Sequence, residues 1–189
     1  MITFDFTGKS INRLKASVVC AAKQDTRYYL KGACIDMNTG GCPQLIATDG
    51  HRMSVSYVEV DTNAPRDDSQ YIIPREILEW IVKIKKATLI RVEFHGTRVE
   101  ASCNGASISA PLIDARYPDW RRVVNRSDNR TPTLDIGINA EYLGDIAKWQ
   151  KHLGHKVPNG ALFEFDGPSS PIRVKADDEN YMVIMPVRI

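Results

Sequence analysis

The sequence predicts an α+β fold that uses one βαβββ unit three times. In each of three segments, a short alternating run is followed by apolar residues at helical spacing, and then by three further runs typical of strands. Glycine-containing turns separate most of the later runs, which is typical of antiparallel hairpins. The same order in all three segments indicates an internal repeat, and a repeat constrains the whole fold.

The first segment opens with the strand-like run ITFDF and continues into a predicted helix from Lys9 to about Ala22. Ile11, Leu14 and Val18 belong to its apolar stripe. Turns are predicted at Gly40-Gly41 and at Asp49-Gly50. The three strand-like runs around these turns are YYLKGACIDM, PQLIATD and HRMSVSYVEV.

The other two segments repeat this order. In the second, YIIP is the first strand, Pro74 suits the start of the helix EILEWIVKIKKA, and strands follow in LIRVEFHG, TRVEASCNG and ASISAPLID. In the third, LDIGI is followed by a helix that Asn139 can cap and by the strands ALFEFD, SPIRVKAD and NYMVIMPV. We therefore expect a two-unit domain (1–124), a polar linker (125–131) and a one-unit half domain (132–189).

Composition narrows the class of protein. The 189 residues are 43% hydrophobic and 25% charged, which is ordinary for a globular protein. No apolar run approaches the roughly 20 residues that cross a bilayer, and the N-terminus does not resemble a signal peptide, so we expect a cytoplasmic protein without membrane association. The four cysteines form no C-x-x-C pair and are expected to be free and mostly buried. The histidines accompany no carboxylate cluster, so we expect neither a metal nor a cofactor.

The three predicted helices share a basic character. Their non-core positions include Lys9, Arg13, Lys15 and Lys23, then Lys83, Lys85 and Lys86, and finally Lys148, Lys151 and Lys156. For any one helix taken alone, a solvent-exposed face would explain the basic residues. The same bias on three equivalent helices also fits a shared surface for phosphates, with non-specific and salt-sensitive binding.

Five runs carry a resemblance to a known family: QDTRYYLKG, ATDGHRM, IIPREIL, ARYPDWRRV and YMVIMPVRI. In order and spacing they resemble the bacterial sliding clamp, the β subunit of DNA polymerase III. Residues 1 to about 123 resemble the middle domain of the clamp, and residues 132–189 resemble the second half of its third domain. The resemblance implies a DNA-clamp fold, with the helices on one face that lines a pore and antiparallel sheets outside.

The resemblance also implies a function. A sliding clamp is a DNA processivity factor and not an enzyme: it encircles duplex DNA without reading its sequence and tethers a polymerase or other proteins that carry a clamp-binding motif. The family's ring contains twelve βαβββ units, so four copies of a three-unit chain would supply the same number. We therefore expect a closed homotetramer, with a trimer, an open arc and a monomer as alternatives. A clamp loader is a further partner that the resemblance suggests.

The resemblance implies a peptide-docking pocket for those partners, with residues from three parts of the chain. They are Leu30, Thr48, Gly50, His51, Arg52 and Met53; Pro118, Arg122 and Val123; and Val183, Ile184, Met185, Pro186, Val187, Arg188 and Ile189. Apolar members suit aliphatic or aromatic anchors of a peptide, while His51, Arg52 and Arg122 can hold its carbonyls or an acidic side chain. A purely structural reading of MVIMPV, as a buried edge strand, stays open.

The family's DNA contacts correspond to Gln24, Arg27, Tyr28, Tyr29 and Arg75, and the basic helices add Lys83, Lys148 and Lys151. Tyrosines beside a cation suit contacts with the sugar-phosphate backbone. Either tyrosine could instead be a buried strand residue.

The sequence leaves two other functions open: a clamp mimic and an enzyme. A clamp mimic, of the kind a phage or mobile element would carry, would compete for clamp-binding partners without encircling DNA. An enzyme would use Asp49 and His51 as an acid–base pair, but the sequence has no nucleophile motif or metal motif to accompany them.

Overall fold

All three units are recognisable in the computed structural model, which describes residues 1–37, 41–124, 136–155 and 160–187. Each supplies one long helix and three strands in hairpin order. The first unit contains β1 (Ile2–Thr7), α1 (Gly8–Ser17), β2 (Gly32–Asp36), β3 (Gln44–Thr48), β4 (Arg52–Tyr57) and β5 (Val60–Thr62). The second contains β6 (Gln70–Pro74), α2 (Arg75–Lys83), β7 (Leu89–His95), β8 (Arg98–Cys103) and β9 (Ala106–Pro111), followed by the short helix α3 (Arg121–Val124). The third contains α4 (Ala140–Leu153), β10 (Leu162–Glu164), β11 (Ile172–Lys175) and β12 (Asn180–Ile184).

The strands form two antiparallel sheets. One has the order β5-β1-β7-β8-β9 and the other the order β10-β11-β12-β4-β3-β2-β6. The first two units exchange their first strands, since β1 pairs with β7 of the second unit and β6 pairs with β2 of the first. The third unit joins the first through the pairing of β12 with β4. The predicted antiparallel α+β fold is therefore confirmed.

The helices form a layer against these sheets. Helix α1 lies between α2 and α4 and also packs on β1, β3 and β4. Phe4, Leu14 and Trp149 are fully buried in the main core, which all three units share. No helix within the described ranges has the length and apolar character needed to cross a membrane.

Helix α4 illustrates how local sequence sets an element's ends. The Asn139 side chain accepts a hydrogen bond from the backbone N–H of Glu141, so the predicted N-cap is confirmed. At the other end Gly154 adopts a left-handed conformation with φ of +91°, and its N–H reaches carbonyls of the last turn.

Several predicted boundaries are wrong. The run YYLKGACIDM becomes a strand only at Gly32, because Tyr28–Leu30 forms a 3-10 turn closed by the Lys31 N–H on the Tyr28 carbonyl. Helix α1 ends at Ser17 and loosens into turns at Val18 and Val19, where branched side chains disfavour a helix.

Other differences concern the later elements. Helix α2 ends at Lys83, and the carbonyl of the following extended residue, Ile84, accepts a hydrogen bond of 2.5 Å from Lys15 Nζ. The run HRMSVSYVEV divides into β4 and β5. Of the predicted strand LDIGI, residues 134 and 135 and the linker 125–131 lie outside the described residues, and Gly137 forms an isolated bridge with Val187.

Arg13 was expected on a basic, non-core helix face and is instead buried. Its guanidinium donates to the Tyr57 carbonyl at 2.7 Å and forms an ion pair with Glu179. It therefore links the first unit to the third rather than facing solvent. Lys156 lies outside the described residues.

Candidate functional site

The ATDGHRM segment forms a tightly bonded loop between β3 and β4. The Asp49 carboxylate accepts backbone hydrogen bonds from His51 and Arg52, each of 3.0 Å, and pairs with Arg52 Nε at 3.0 Å. Thr48 Oγ1 accepts from the Gly50 N–H at 3.0 Å and donates to the Arg52 carbonyl at 2.7 Å. The acid that looked available for chemistry is therefore occupied in shaping the loop.

Gly50 is required at the tip of this loop. Its φ is +89°, and a Cβ there would lie 2.8 Å from a guanidinium nitrogen of Arg27. Arg27 is itself held by Asp25, whose pKa falls to about 2 because of hydrogen bonds from the Arg27 side chain and backbone. One guanidinium nitrogen also donates to the Asp49 carbonyl at 3.2 Å.

The ARYPDWRRV segment is anchored through a buried carboxylate at the end of β2. Trp120 Nε1 donates to Asp36 at 3.0 Å, and Arg121 makes two hydrogen bonds to it, of 2.9 and 3.1 Å. Burial alone would raise the pKa of Asp36, but these hydrogen bonds outweigh burial and hold the pKa below 3.8. The charged carboxylate of Asp36 thus fixes α3 beside the ATDGHRM loop.

Tyr117 connects the same segment to β3. Burial raises the pKa of Tyr117 well above 10, so its phenol stays neutral. Its oxygen accepts the Thr48 N–H at 3.0 Å, and its backbone N–H donates to Gln70 at 3.0 Å. The wall formed by residues 117–123 is therefore held by buried polar contacts.

The C-terminal strand supplies the opposite wall. Val183 on β12 lies directly across from Met53 on β4. Just beyond the strand, the Met185 N–H donates to the His51 carbonyl at 2.8 Å. Antiparallel pairing therefore brings together residues that are more than a hundred positions apart in the chain.

These three parts enclose a cavity of about 250 Å³. Ten of the sixteen residues that the resemblance assigned to a pocket line it: Leu30, Thr48, Gly50, His51, Arg52, Met53, Pro118, Val123, Val183 and Met185. Leu30, Met53 and Val183 are buried, whereas Val123 and Met185 are exposed at the opening. The arrangement is an apolar trough with a polar rim, which can accept the side chains of a docked peptide.

Of the other six assigned residues, four are described and do not line this cavity. Arg122 points outward and pairs with Asp119 at 3.0 Å. Ile184 is fully buried in the main core, because successive strand residues point to opposite faces and its neighbour Val183 faces the cavity. Pro186 and Val187 lie beyond the cavity, and Arg188 and Ile189 are outside the described residues.

Arg52 differs from its expected role at the rim. Its guanidinium pairs with Asp49 and with Asp145 of α4, and it lies 4.9 Å from the ring centre of Tyr142. Burial would lower the pKa of Arg52, but its hydrogen bond to Asp145 and nearby charges raise it instead. Arg52 therefore joins the first unit to the third and is not free to hold a peptide.

Arg27, Asp119 and Trp120 line the cavity without having been assigned to it. Trp120 stands between two assigned residues in PDWRRV, and a large aromatic residue beside an apolar trough is the signal that could have identified it. The Arg27 contact depends on the fold of residues 25–27 and has no such signal.

A second, more polar cleft of about 780 Å³ lies on the other side of Arg52. The residues around it come from the end of α1, the ATDGHRM loop and the start of α4, and include Gln24, Asp25, Asp49, Glu141, Asp145 and Lys148. Acidic and basic groups are mixed there, so the cleft has no single charge preference.

Comparison with known proteins agrees with this arrangement. Residues 6–119 match a family described as DNA polymerase III beta subunit, central domain. The chain belongs to this family. The beta sliding clamp of Vibrio cholerae is 31% identical over 112 residues, which are 58% of this chain and 30% of that protein. The beta sliding clamp of Escherichia coli K12 is 26% identical over 132 residues, which are 68% of this chain and 35% of that protein.

Solved clamp structures share the fold across the whole chain. A Pseudomonas aeruginosa DNA polymerase sliding clamp matches with a TM-score of 0.76 and 21% identity, over 100% of this chain and 66% of that one. A Bartonella birtlesii sliding clamp bound to griselimycin matches with a TM-score of 0.78 and 19% identity, over 99% and 66%. In sequence, the chain spans about a third of the length of the curated clamps that it matches.

Within this clamp fold, the residues expected at DNA have different environments. Gln24, Arg27 and Tyr28 are exposed near the end of α1, and the rings of Tyr28 and Tyr29 meet edge to face at 5.9 Å. Arg75 is mostly buried: it pairs with Glu79 and donates to the Val18 and Ala21 carbonyls, so it closes the end of α1. Tyr28 is accessible to a ligand, whereas Arg75 is occupied.

The lysines of the helix layer are accessible. Lys83 and Lys151 are exposed, and Lys148 is exposed although it pairs with Asp145 at 2.7 Å. A groove of about 420 Å³ between α1 and the end of α2 adds the exposed Lys85 and Lys86, and also contains Lys15, whose Nζ already donates to the Ile84 carbonyl. The helix side of this clamp-family chain therefore offers cations to a polyanion.

The remaining reactive groups do not form a site. Among the described residues, no three histidine, cysteine or acidic side chains are grouped to hold a metal ion. Cys20, Cys34 and Cys103 are buried free thiols and Cys42 is exposed. Burial raises the pKa of Cys20 to about 12, so this thiol stays protonated.

Proposed function

We propose that this chain acts as a sliding-clamp-like processivity factor. In this function it encircles duplex DNA as a closed ring of four chains and tethers a polymerase, or another protein with a clamp-binding motif, through a docked peptide. Loading by a clamp loader belongs to the same proposal. Family membership supports it, and because the chain spans only part of the length of its relatives, ring formation and docking require separate tests.

The cavity between the ATDGHRM loop, α3 and β12 is the observation that carries the proposal. Its floor is apolar at Leu30, Met53 and Val183, and its rim carries the exposed imidazole of His51. An apolar floor takes the anchors of a short peptide, and Met53 and Met185 can adapt to different anchors. The loop's hydrogen bonds hold the walls in place before a peptide arrives, which reduces the entropy cost of docking.

The state of Asp49 supports a binding role rather than catalysis. Its carboxylate already accepts from two backbone N–H groups and from Arg52 Nε. A general base must be able to reach a substrate proton, and this carboxylate is engaged within its own loop. His51 can contact a peptide at the rim without an acid–base partner.

Peptide docking is tested by titrating the chain with a labelled clamp-binding peptide that has an aliphatic and an aromatic anchor. Val123→Glu places a charge at the cavity opening and should weaken binding at least tenfold, about 1.4 kcal/mol. Leu89→Glu is the matched control, because Leu89 is similarly exposed (40% against 41%) but lies on β7, away from the cavity. Equal affinities for the two variants would remove the docking proposal.

DNA encirclement is tested by measuring retention on closed circular duplex DNA before and after linearisation. A ring should stay on the circle and slide off the linear form, and salt should weaken any direct contact with phosphates. Peptide binding without selective retention on circles would instead indicate a clamp mimic that competes for partners. The short coverage of the curated clamps is the observation that keeps this second function in view.

A further inference from the structure

The first unit contacts its two neighbours through two different edges. In each unit, the strand that follows the long helix (β2, β7 or β10) forms what we name the exchange edge. The last hairpin strand (β4, β9 or β12) forms what we name the ladder edge. The second unit's first strand, β6, covers the exchange edge of the first, and β1 covers that of the second. Ladder edges meet directly, because β4 pairs antiparallel with β12.

Both contacts join like with like. An exchange edge meets another exchange edge through two swapped strands, and a ladder edge meets another ladder edge. Each arrangement is reciprocal and antiparallel, so a two-fold axis could relate its two halves. Of these six exchange and ladder edges, two remain unpaired within the described residues: the ladder edge of the second unit, β9, and the exchange edge of the third, β10; the sheets also end at β5 and β6.

The unpaired edges differ from their paired counterparts in burial. Strand β2 is buried along its whole length, whereas β10 has no buried residue. Leu162 on β10 is 60% exposed, and Phe165 just beyond it is 42% exposed. Strand β9 is exposed at four of six positions, while β4 and β12, which pair with each other, are mostly buried. Exposed strand edges with apolar side chains favour addition of another strand.

The backbone of β9 is also oriented for pairing. Leu112 donates its N–H to Thr97 on the β8 side. Alternate residues of an antiparallel strand direct their N–H groups to opposite sides, so the N–H groups of Ser107 and Ser109 point away from β8. The serine alternation of ASISA (106–110) also matches that of MSVSY (53–57) in β4, the strand whose ladder edge is filled.

Residues 136–138 of the third unit lie beside the tail of their own unit, as β1 lies beside β5. In the first unit, β1 has its own unit's β5 on one side, with Asp5 opposite Asp61, and β7 of the second unit on the other. In the third unit, Gly137 bridges Val187 of its own tail, whose N–H donates to the Gly137 carbonyl at 2.9 Å. Its other side corresponds to the position that β7 fills beside β1.

We propose that second copies of this chain fill both unpaired edges, each through its own two-fold contact. In one contact, β9 pairs with β9 of another copy. In the other, residues 136–138 of each third unit cover β10 of the other copy. A head-to-tail contact would join a ladder edge to an exchange edge, a combination that neither internal contact uses. Four chains then alternate between the two contacts, and the tetramer is dihedral rather than cyclic. This closure rests on the proposed ring function.

Masses of edge variants in solution distinguish the two arrangements. Ser109→Pro removes an outward N–H from β9, and Ser109→Ala is its control because it keeps the N–H while also losing the hydrogen bond from Arg98. Leu162→Glu charges the β10 edge, and Leu89→Glu on β7 is its control. The unaltered chain and both controls should have four times the 21.2 kDa chain mass by light scattering. Each edge variant should have twice that mass, and the double variant should be a single chain.

In a head-to-tail ring, every interface would contain both β9 and β10. Either edge variant would then disrupt all interfaces and have the mass of a single chain. That result, or an unaltered chain that is monomeric, would overturn the inference. Circular dichroism confirms that each variant is folded. Should Ser109→Pro fail to fold, thiol cross-linking in a Cys42→Ser background decides instead. Ser107→Cys should cross-link to itself, whereas head-to-tail contact would link it to a Leu162→Cys chain.

The arrangement of the tetramer and the proposed clamp function can fail independently. A tetramer with the expected edge behaviour that nevertheless leaves circular and linear DNA equally fast would remove the clamp function and keep the assembly. Retention on circular DNA together with head-to-tail cross-links would keep the clamp function and remove the dihedral assembly.

Discussion

The exchange contact and the ladder contact hold the first unit to its neighbours by different means. At the exchange contact each unit inserts a strand into the other's sheet, and Phe4 of β1 meets Tyr71 and Phe94 of the second unit at ring distances of 5.1 and 5.8 Å. At the ladder contact no strand is exchanged, and Arg13 and Arg52 add ion pairs to the β4–β12 pairing. The first two units should therefore unfold together, while the third can open separately.

The largest effect is expected from Phe4→Ala, which leaves a cavity at the exchange contact. Deleting a buried phenylalanine ring costs about 3–5 kcal/mol, and both units should lose stability together. Denaturant unfolding followed by Trp80 fluorescence, with the other tryptophans replaced by phenylalanine, measures this loss. Phe165→Ala, at an exposed position of the third unit, is the control and should leave the Trp80 transition in place.

A smaller and local effect is expected from Asp145→Ala at the ladder contact. Arg52 loses its partner on α4, and a hydrogen bond between charged groups contributes about 1.5–3 kcal/mol. Amide hydrogen exchange should accelerate in α4 and stay unchanged in β1 and β7. The control is Lys148→Ala, which removes the exposed partner of the same carboxylate and should cost under about 1 kcal/mol. Faster exchange throughout all three units would contradict separate opening.

Acid should weaken the ladder contact more than the exchange contact, because the Asp5–Arg91 ion pair of the exchange contact is more exposed (47% at Arg91, against 15% at Arg52) and therefore contributes less. Burial would raise the pKa of Asp145, but hydrogen bonds from Lys148 and Arg52 hold it below the ordinary value of 3.8. The carboxylate's contribution is therefore complete above that value and is lost as pH falls through the lower folded pKa. In a variant that keeps only Trp149, fluorescence should change below about pH 4. This change should occur at a higher pH than the change in the variant that keeps only Trp80, and Asp145→Ala should reduce the difference.

The smallest effect is expected from stabilising the third unit itself. Gly144 lies within α4, and a Cβ added there would have no neighbouring atom within 4 Å, so Gly144→Ala should raise the stability of the third unit by about 0.5–1 kcal/mol. Gly154→Ala is the contrasting variant, because its left-handed backbone and the nearby Asn12 amide oppose a side chain. Thermal unfolding of both variants should therefore shift in opposite directions, and a parallel shift would contradict this account.

The repeated units could be predicted from sequence because each carries its own local signals. Asn139 caps α4 and Pro74 precedes α2 as expected, since caps depend on a few neighbouring residues. Strand exchange between the first two units could not be predicted in this way. Periodicity identifies β1 as a strand but does not indicate which sheet it enters, and its partner β7 is more than eighty residues away.

Most residues that line the cavity could be predicted from the sequence, but the contacts of individual arginines could not. The resemblance brought together Met53, Val123 and Val183, which line it, whereas their functional assignment still depends on the peptide titration. Arg52 and Arg75 looked available because arginines are usually exposed. Their acidic partner on α4 and the carbonyls after α1 lie far away in sequence, so only the fold reveals that both are occupied.

The position of β12 has a consequence during synthesis of the chain on the ribosome. Strand β4 is made early, but its partner follows more than a hundred residues later. Until then the Met53–Val55 edge remains open, and the cavity lacks the wall that Val183 and Met185 provide. A protein that recognises the completed cavity would therefore distinguish chains translated past Met185 from shorter ones, and premature termination before residue 180 would leave the β4 edge exposed and prone to aggregation.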